Sequence, residues 1–146
     1  MVKKEDIMNN ACFNVWSVKY DDKDLHIFLY HFSKPEEFLA RRAKKIHQDA
    51  TSFYQEKDGQ RAIEAFMKSE RFATIIADLV NSNRHGENRF EITCKEPVGF
   101  GIGEDGERFE TRRVRFYLAF HGAEYKNRNT GMPFKVASFY PVREEN

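Results

Sequence analysis

Hydrophobic residues follow two different rhythms along this chain. Between residues 36 and 81 they return every three or four positions, and from residue 90 onward they alternate with polar ones. The first rhythm is that of one helix face and the second that of a strand. Three helices are expected in the first part: residues 33–47, a helix opening at Asp58-Gly59 with Ala62, Ile63, Phe66 and Met67 on one face, and residues 70–81 with Phe72, Ile75, Ile76, Leu79 and Val80. Residues 50–54 fit a short strand or loop between the first two. The second part reads as strands at 90–94, 98–103, 112–121 and 134–141, with a hairpin turn at Glu104-Asp105-Gly106. Ahead of the helices, residues 11–19 and 25–31 alternate as two strands around a turn at 20–24. Residues 1–30 are therefore expected to form a hairpin, or a lead-in segment on the domain edge, and residues 31–146 the main domain. Helices followed by an antiparallel meander make the fold class α+β.

Two places carry more than pattern. Ser33 followed by Glu36, with Pro35 between them, has the form of a capping box at a helix start. At about 100° per residue, Phe38, Leu39, Arg42, Ala43 and Ile46 share one face of that helix. Arg42 thus falls inside an apolar stripe. A bare charge there is costly, so it needs a carboxylate, reaches a cleft that binds an anion, or snorkels to water. The other place is the last strand. Strict alternation puts Phe134, Val136, Ser138 and Tyr140 on one face and Lys135, Ala137 and Phe139 on the other, with Pro141 ending the strand. Neighbouring hydroxyls of Ser138 and Tyr140 on a rigid strand suit an oxyanion such as phosphate. They suit a half-exposed strand edge equally well.

Composition narrows the classes. A chain of 146 residues with 14 Phe and 6 Tyr can bury one core. No apolar run is long enough for a transmembrane helix, and no secretory signal follows the basic start Met1 to Lys4. Cys12 and Cys94 lack metal-like spacing, lie in apolar runs, and read as small buried hydrophobes with nothing calling for a disulfide. The five histidines form no metal-ligand pair, so neither a metal nor another cofactor is expected. The formal charge of +1 is low for a nucleic-acid binder. RNA contact would need local charge, for which Arg113 and Arg115, beside Arg112, Lys126 and Arg128, are the candidates. The glycines of Gly99, Gly101 and Gly103 do not make a phosphate loop, because the spacing is wrong and no helix follows.

The order of features resembles the bacterial RNase A-like toxin domains at the C-termini of contact-dependent inhibition and other polymorphic toxins. The matching residues are His31 with Arg42 eleven positions on, Thr51-Ser52-Phe53, the helical residues 60–81, Val98-Gly99, the strand Val114 to Phe120, and Ser138-Phe139-Tyr140-Pro141, where the family has Thr for Ser138. The resemblance covers roughly residues 31–142 and implies an RNase A-like fold. It further implies a metal-independent endoribonuclease that cuts RNA by 2′-OH attack to a 2′,3′-cyclic phosphate. His31 would be the acid/base, Arg42 would stabilise transition-state charge, and Ser138 and Tyr140 would contact the phosphate, with Tyr140 a candidate for the second proton transfer. His121, at the end of the long strand, is the candidate second histidine. His26 reads as structural, and Lys135 is expected to face away from Ser138 and Tyr140.

The resemblance also implies an RNA substrate, tRNA among the candidates, a cognate immunity protein, a monomer outside that complex, and a delivered effector acting in the target-cell cytoplasm rather than at a membrane. Two other readings stand beside it. One is a non-enzymatic immunity or adaptor module, for which the near-neutral charge is equally suitable. The other is a nuclease of the EndoU or barnase-like group, with His31 and His121 as a pair.

Overall fold

A computed structural model describes residues 1–22 and 26–144. Six helices precede or interleave the strands: α1 (Lys4–Met8), α2 (Val15–Asp21), α3 (His26–His31), α4 (Glu36–Ile46), α5 (Glu56–Met67) and α6 (Glu70–Asn81). The strands are β1 (Ala50–Phe53), β2 (His85–Thr93), β3 (Gly99–Ile102), β4 (Arg108–Thr111), β5 (Arg113–His121) and β6 (Lys135–Val142). They form two antiparallel sheets, ordered β1-β3-β4 and β2-β5-β6. The architecture is α+β, as the change of rhythm indicates. Among the described residues, no helix is long and apolar enough to cross a membrane.

Each sheet carries its own apolar layer. The β2-β5-β6 sheet turns Phe90, Ile92, Val114, Phe116, Leu118, Phe120, Val136 and Phe139 into the main core, against Ala62, Ile63 and Phe66 of α5 and Ala73, Ile76, Ala77 and Val80 of α6. Phe116 stacks on both Phe66 and Phe139, with ring centroids 4.6 and 5.2 Å apart. Such a fully buried Phe contributes about 1.5–3 kcal/mol by leaving water. The inner face of α6 is rotated from expectation: Ala73 and Ala77 are buried, Phe72 and Leu79 lie at its flanks, and Ile75 is exposed. Small alanines let the helix sit close to the sheet, so the larger residues end up at its margins. The smaller layer joins Leu39 and Ala43 of α4 to Ala50 of β1 and Phe100 and Ile102 of β3.

The sheets meet at Gly99. A Cβ there would lie 2.3 Å from the Ser52 carbonyl oxygen and 3.0 Å from Pro141 Cγ. Only glycine admits β1 and β6 this closely at one point. Thr111 ties the same corner, its hydroxyl donating to the Val142 carbonyl.

The N-terminal hairpin is overturned. Residues 15–21 and 26–31 are helices α2 and α3, not strands; the rest of the expected turn and Leu25 fall in residues 23–25, outside the described residues. The buried apolar positions of α2 are Val15 and Val18, with Ser17 buried beside them, and the buried positions of α3 are Ile27 and His31. Their spacings of three and four are helical, and counting His31 as polar hides the second of them. The real N-terminal cap is Asn14, whose side chain accepts from the Ser17 N–H. Cys12 is exposed in the turn before α2, and Cys94 is buried; both are free thiols.

Ser33 does not cap α4. Its φ of 54° is left-handed and its hydroxyl donates to the Tyr54 carbonyl at 3.1 Å, while Pro35 takes the cap position without a side-chain bond. Instead the α3–α4 connection hooks onto β1. Phe32 bridges Phe53 in parallel, the Ser33 N–H donates to the Phe53 carbonyl at 3.0 Å, and the Lys34 N–H donates to Ser52 Oγ at 3.1 Å.

Strand β6 also departs from strict alternation. Tyr117 opposes Ser138 and Leu118 opposes Val136, so Ala137 is an extra, bulged residue. Phe139 therefore returns to the core face with Val136, and Lys135 lies on the same face as Ser138 and Tyr140 rather than on the opposite one.

Candidate active site

A cleft of about 380 Å³ opens where α3, α4, β1, β5 and β6 converge, lined in part by His26, His31, Arg42, Thr51, Arg115 and Tyr140. Its floor comes from β1, onto which the hook at Phe32 and Ser33 sets the last residue of α3. That residue is His31, which is 7% exposed. Its Nδ1 lies 2.9 Å from the Thr51 carbonyl oxygen. A carbonyl can only accept, so Nδ1 carries the hydrogen in the neutral ring and the lone pair is on Nε2. The ring is clamped from the other side by Tyr140, stacked with centroids 4.7 Å apart and planes 16° from parallel. Burial pushes the His31 pKa down to about 4; the Thr51 carbonyl resists, and Arg42 and His26 add to the lowering. His31 is thus a neutral, oriented base at neutral pH.

Arg42 comes from the apolar face of α4, as its position in the stripe requires. Its guanidinium lies over the Tyr30 ring at 4.0 Å. Among the described residues no carboxylate pairs with it, and its Nε is buried without a hydrogen-bond partner. The other cations of the cleft are engaged. Arg115 pairs with Glu91 at 2.9 Å, and Arg143 pairs with Asp49 at 3.0 Å. Of the three choices open to Arg42, the carboxylate partner is absent among the described residues and the side chain lines the cleft.

Tyr140 projects from β6 opposite Arg115. Burial, then the bond to the Tyr117 hydroxyl, pushes its phenol above the ordinary tyrosine value, which keeps it a hydrogen-bond donor. Ser138 stands two residues earlier on the same face, opposite Tyr117, and is not among the residues lining the cleft. Arg113 shares this face, opposite Val142. His121 is elsewhere: it ends β5, is exposed, opposes His85 and rests against Tyr125 with centroids 4.8 Å apart. Six residues of strand separate it from Arg115, about 20 Å at ~3.3 Å per residue. It cannot partner His31.

The second histidine beside the cleft is His26. It opens α3, is exposed, and its ring centroid lies 5.9 Å from that of His31. A strand reading of residues 25–31 obscures it, since i and i+5 are about 16 Å apart along a strand but only about 7.5 Å apart along a helix, at ~3.3 and ~1.5 Å per residue. The Thr51 carbonyl and the Asp49–Arg143 pair are likewise invisible to residue pattern, because one is backbone and the other joins positions far apart in sequence.

With this geometry in place, comparison with known proteins is informative. A chain in the crystal structure of a CdiA-CT/CdiI complex from Y. kristensenii 33638 matches with a TM-score of 0.60 and 17% identity, over 77% of this chain and 95% of that one. At that identity the likeness is one of fold. No curated protein matches. The family model for the bacterial CdiA-CT RNAse A domain matches residues 26–141, which span both walls of the cleft and most of the chain. The chain belongs to this bacterial CdiA-CT RNAse A domain family, and is an endoribonuclease toxin domain.

Proposed function

We propose that the cleft cleaves RNA by attack of a ribose 2′-OH on the adjacent phosphorus, leaving a 2′,3′-cyclic phosphate, with no metal taking part. The observation that carries this reading is the pairing of an oriented neutral imidazole, His31, with a guanidinium, Arg42, that has no carboxylate partner among the described residues. His31 Nε2 takes the 2′-proton. Arg42 holds the non-bridging oxygens, whose charge grows in the phosphorane; an electrostatic partner of this kind contributes about 10²–10³ in rate. Tyr140 donates to the same phosphate while its ring keeps His31 in place. Ser138 contacts the chain just beyond the cleft, and Arg113 and Arg115 follow the RNA backbone along the sheet face.

The low pKa of His31 gives the site a dependence on its substrate. A phosphate beside the ring acts against the lowering by burial and by Arg42, so His31 becomes a stronger base when RNA is bound. Membership of a ribonuclease family and the distance between His31 and His121 both argue against the adaptor and EndoU or barnase-like readings. As with the CdiA-CT/CdiI complex, a cognate immunity protein is proposed for this chain, and so is action in the target-cell cytoplasm.

The test is incubation of the purified chain with total RNA and with tRNA in EDTA, followed by end-group analysis of the fragments. Fragments ending in 2′,3′-cyclic phosphate are expected, lost in His31→Ala. Intact RNA at high protein concentration, or activity that requires added magnesium, overturns the reading.

A further inference from the structure

We propose that His26 is a second catalytic residue of this site, the general acid that protonates the departing 5′-oxygen. The role rests on the reading of the cleft as a transphosphorylating ribonuclease site. In-line displacement at phosphorus needs a base on the entering side and an acid on the leaving side. His31 can serve one side only. Its Nδ1 is bound to the Thr51 carbonyl, which leaves Nε2 as the working nitrogen, and that atom is occupied with the 2′-proton. Tyr140 is turned toward Tyr117 and stacked flat on His31. Among the described residues, His26 is the remaining imidazole on the cleft wall.

Its setting suits the role. The His26 ring meets His31 edge-on at 5.9 Å and Tyr30 at 4.9 Å, and Tyr30 in turn lies under the Arg42 guanidinium at 4.0 Å. A phosphodiester held by Arg42 is then within reach of both imidazoles through different oxygens. His26 is exposed, so it exchanges protons with water between turnovers, whereas His31 is buried. Histidine is the side chain that most readily carries a proton near neutral pH and releases it.

The step balances as follows. The 2′-oxygen loses its proton to His31 Nε2 and forms a bond to phosphorus. The P–O5′ bond breaks, its electron pair goes to O5′, and O5′ takes a proton from the His26 imidazolium. The products are a 2′,3′-cyclic phosphate and a free 5′-OH; His31 has gained the proton that His26 lost, and water resets both.

The test uses His26→Ala and His26→Gln in the full chain with two substrates. One is a dinucleoside phosphate with an ordinary 5′-alkoxide leaving group. The other is uridine 3′-(4-nitrophenyl phosphate), whose phenolate departs without a proton. Cleavage of the first is expected to fall about 10²–10⁴-fold and that of the aryl ester less than about tenfold, in both variants. The wild-type rate on the dinucleotide should also decline at high pH through a limb missing in the variants. The groups facing His26 across the cleft are His31, Tyr30, Arg42, Asp49, Arg115, Tyr140 and Arg143, and the limb is assigned to His26 by its loss in these variants. The ratio of the two rates does not depend on the folded fraction. Equal losses on both substrates, or an unchanged dinucleotide rate, overturn the role. A wild-type chain inert on both substrates overturns the ribonuclease reading itself, a distinct result.

Discussion

The two walls of the cleft use similar residues and differ in what those residues are bonded to. On the α3–α4 wall, Arg42 has no carboxylate partner among the described residues, and the His31 ring nitrogen is held by a backbone carbonyl. On the β5–β6 wall, Arg115 and Arg143 each hold an acid. A guanidinium whose charge is matched has little left to offer a phosphate, and one left unmatched at the rim of a core is kept at a cost in stability. The difference separates the groups available for chemistry from those that frame it.

The contrast is broken or sharpened most directly by rates. His31→Ala should lower RNA cleavage about 10²–10⁴-fold, the range for losing a general base, measured as initial rates of fragment release. Arg42→Ala should lower kcat/KM about 10²–10³-fold on the same RNA, whereas Arg115→Ala should lower it less than about tenfold. Equal losses for the two arginines would erase the distinction between the walls.

Stability offers the next comparison. The folded His31 pKa of about 4 lies below its ordinary 6.5, so the unfolded chain binds more protons between those values. The contribution is fully present above about pH 6.5 and is lost as pH falls toward 4, by about 3 kcal/mol in all. Urea midpoints measured from pH 7.5 to 4 should therefore fall more steeply in the native chain than in His31→Gln. The smallest effect is expected from Arg42→Met, which should raise unfolding free energy by about 0.5–2 kcal/mol while abolishing activity. Arg115→Met should give no gain, since it strands Glu91; calorimetry distinguishes the two.

What could be read from the sequence follows the same division. The range of α6, the core face of β5 and the placement of Arg42 all follow from long, regular apolar spacing, where each position agrees with the next. The N-terminal region failed because α2 and α3 are short, and polar Ser17 and His31 are among their few buried residues, which hides the helix repeat. Aromatic and β-branched residues there favour strands locally, and packing on the sheet and α5 overrides them. Within the site, His31, Arg42 and Tyr140 were accessible through motif order. His26 was not, since its role depends on α3 being helical, and neither was the backbone carbonyl that sets the His31 tautomer.

The bulge at Ala137 bears on which insertions and deletions this gene tolerates. Removing one codon from a regular strand inverts every side chain on one side of the cut. Removing Ala137 does the opposite: Lys135, Val136, Ser138 and Phe139 would then alternate without interruption, each keeping the face it has now. A single-codon deletion at position 137 thus preserves both the core and the cleft. A gap there in related sequences would mark a straighter strand carrying the same site.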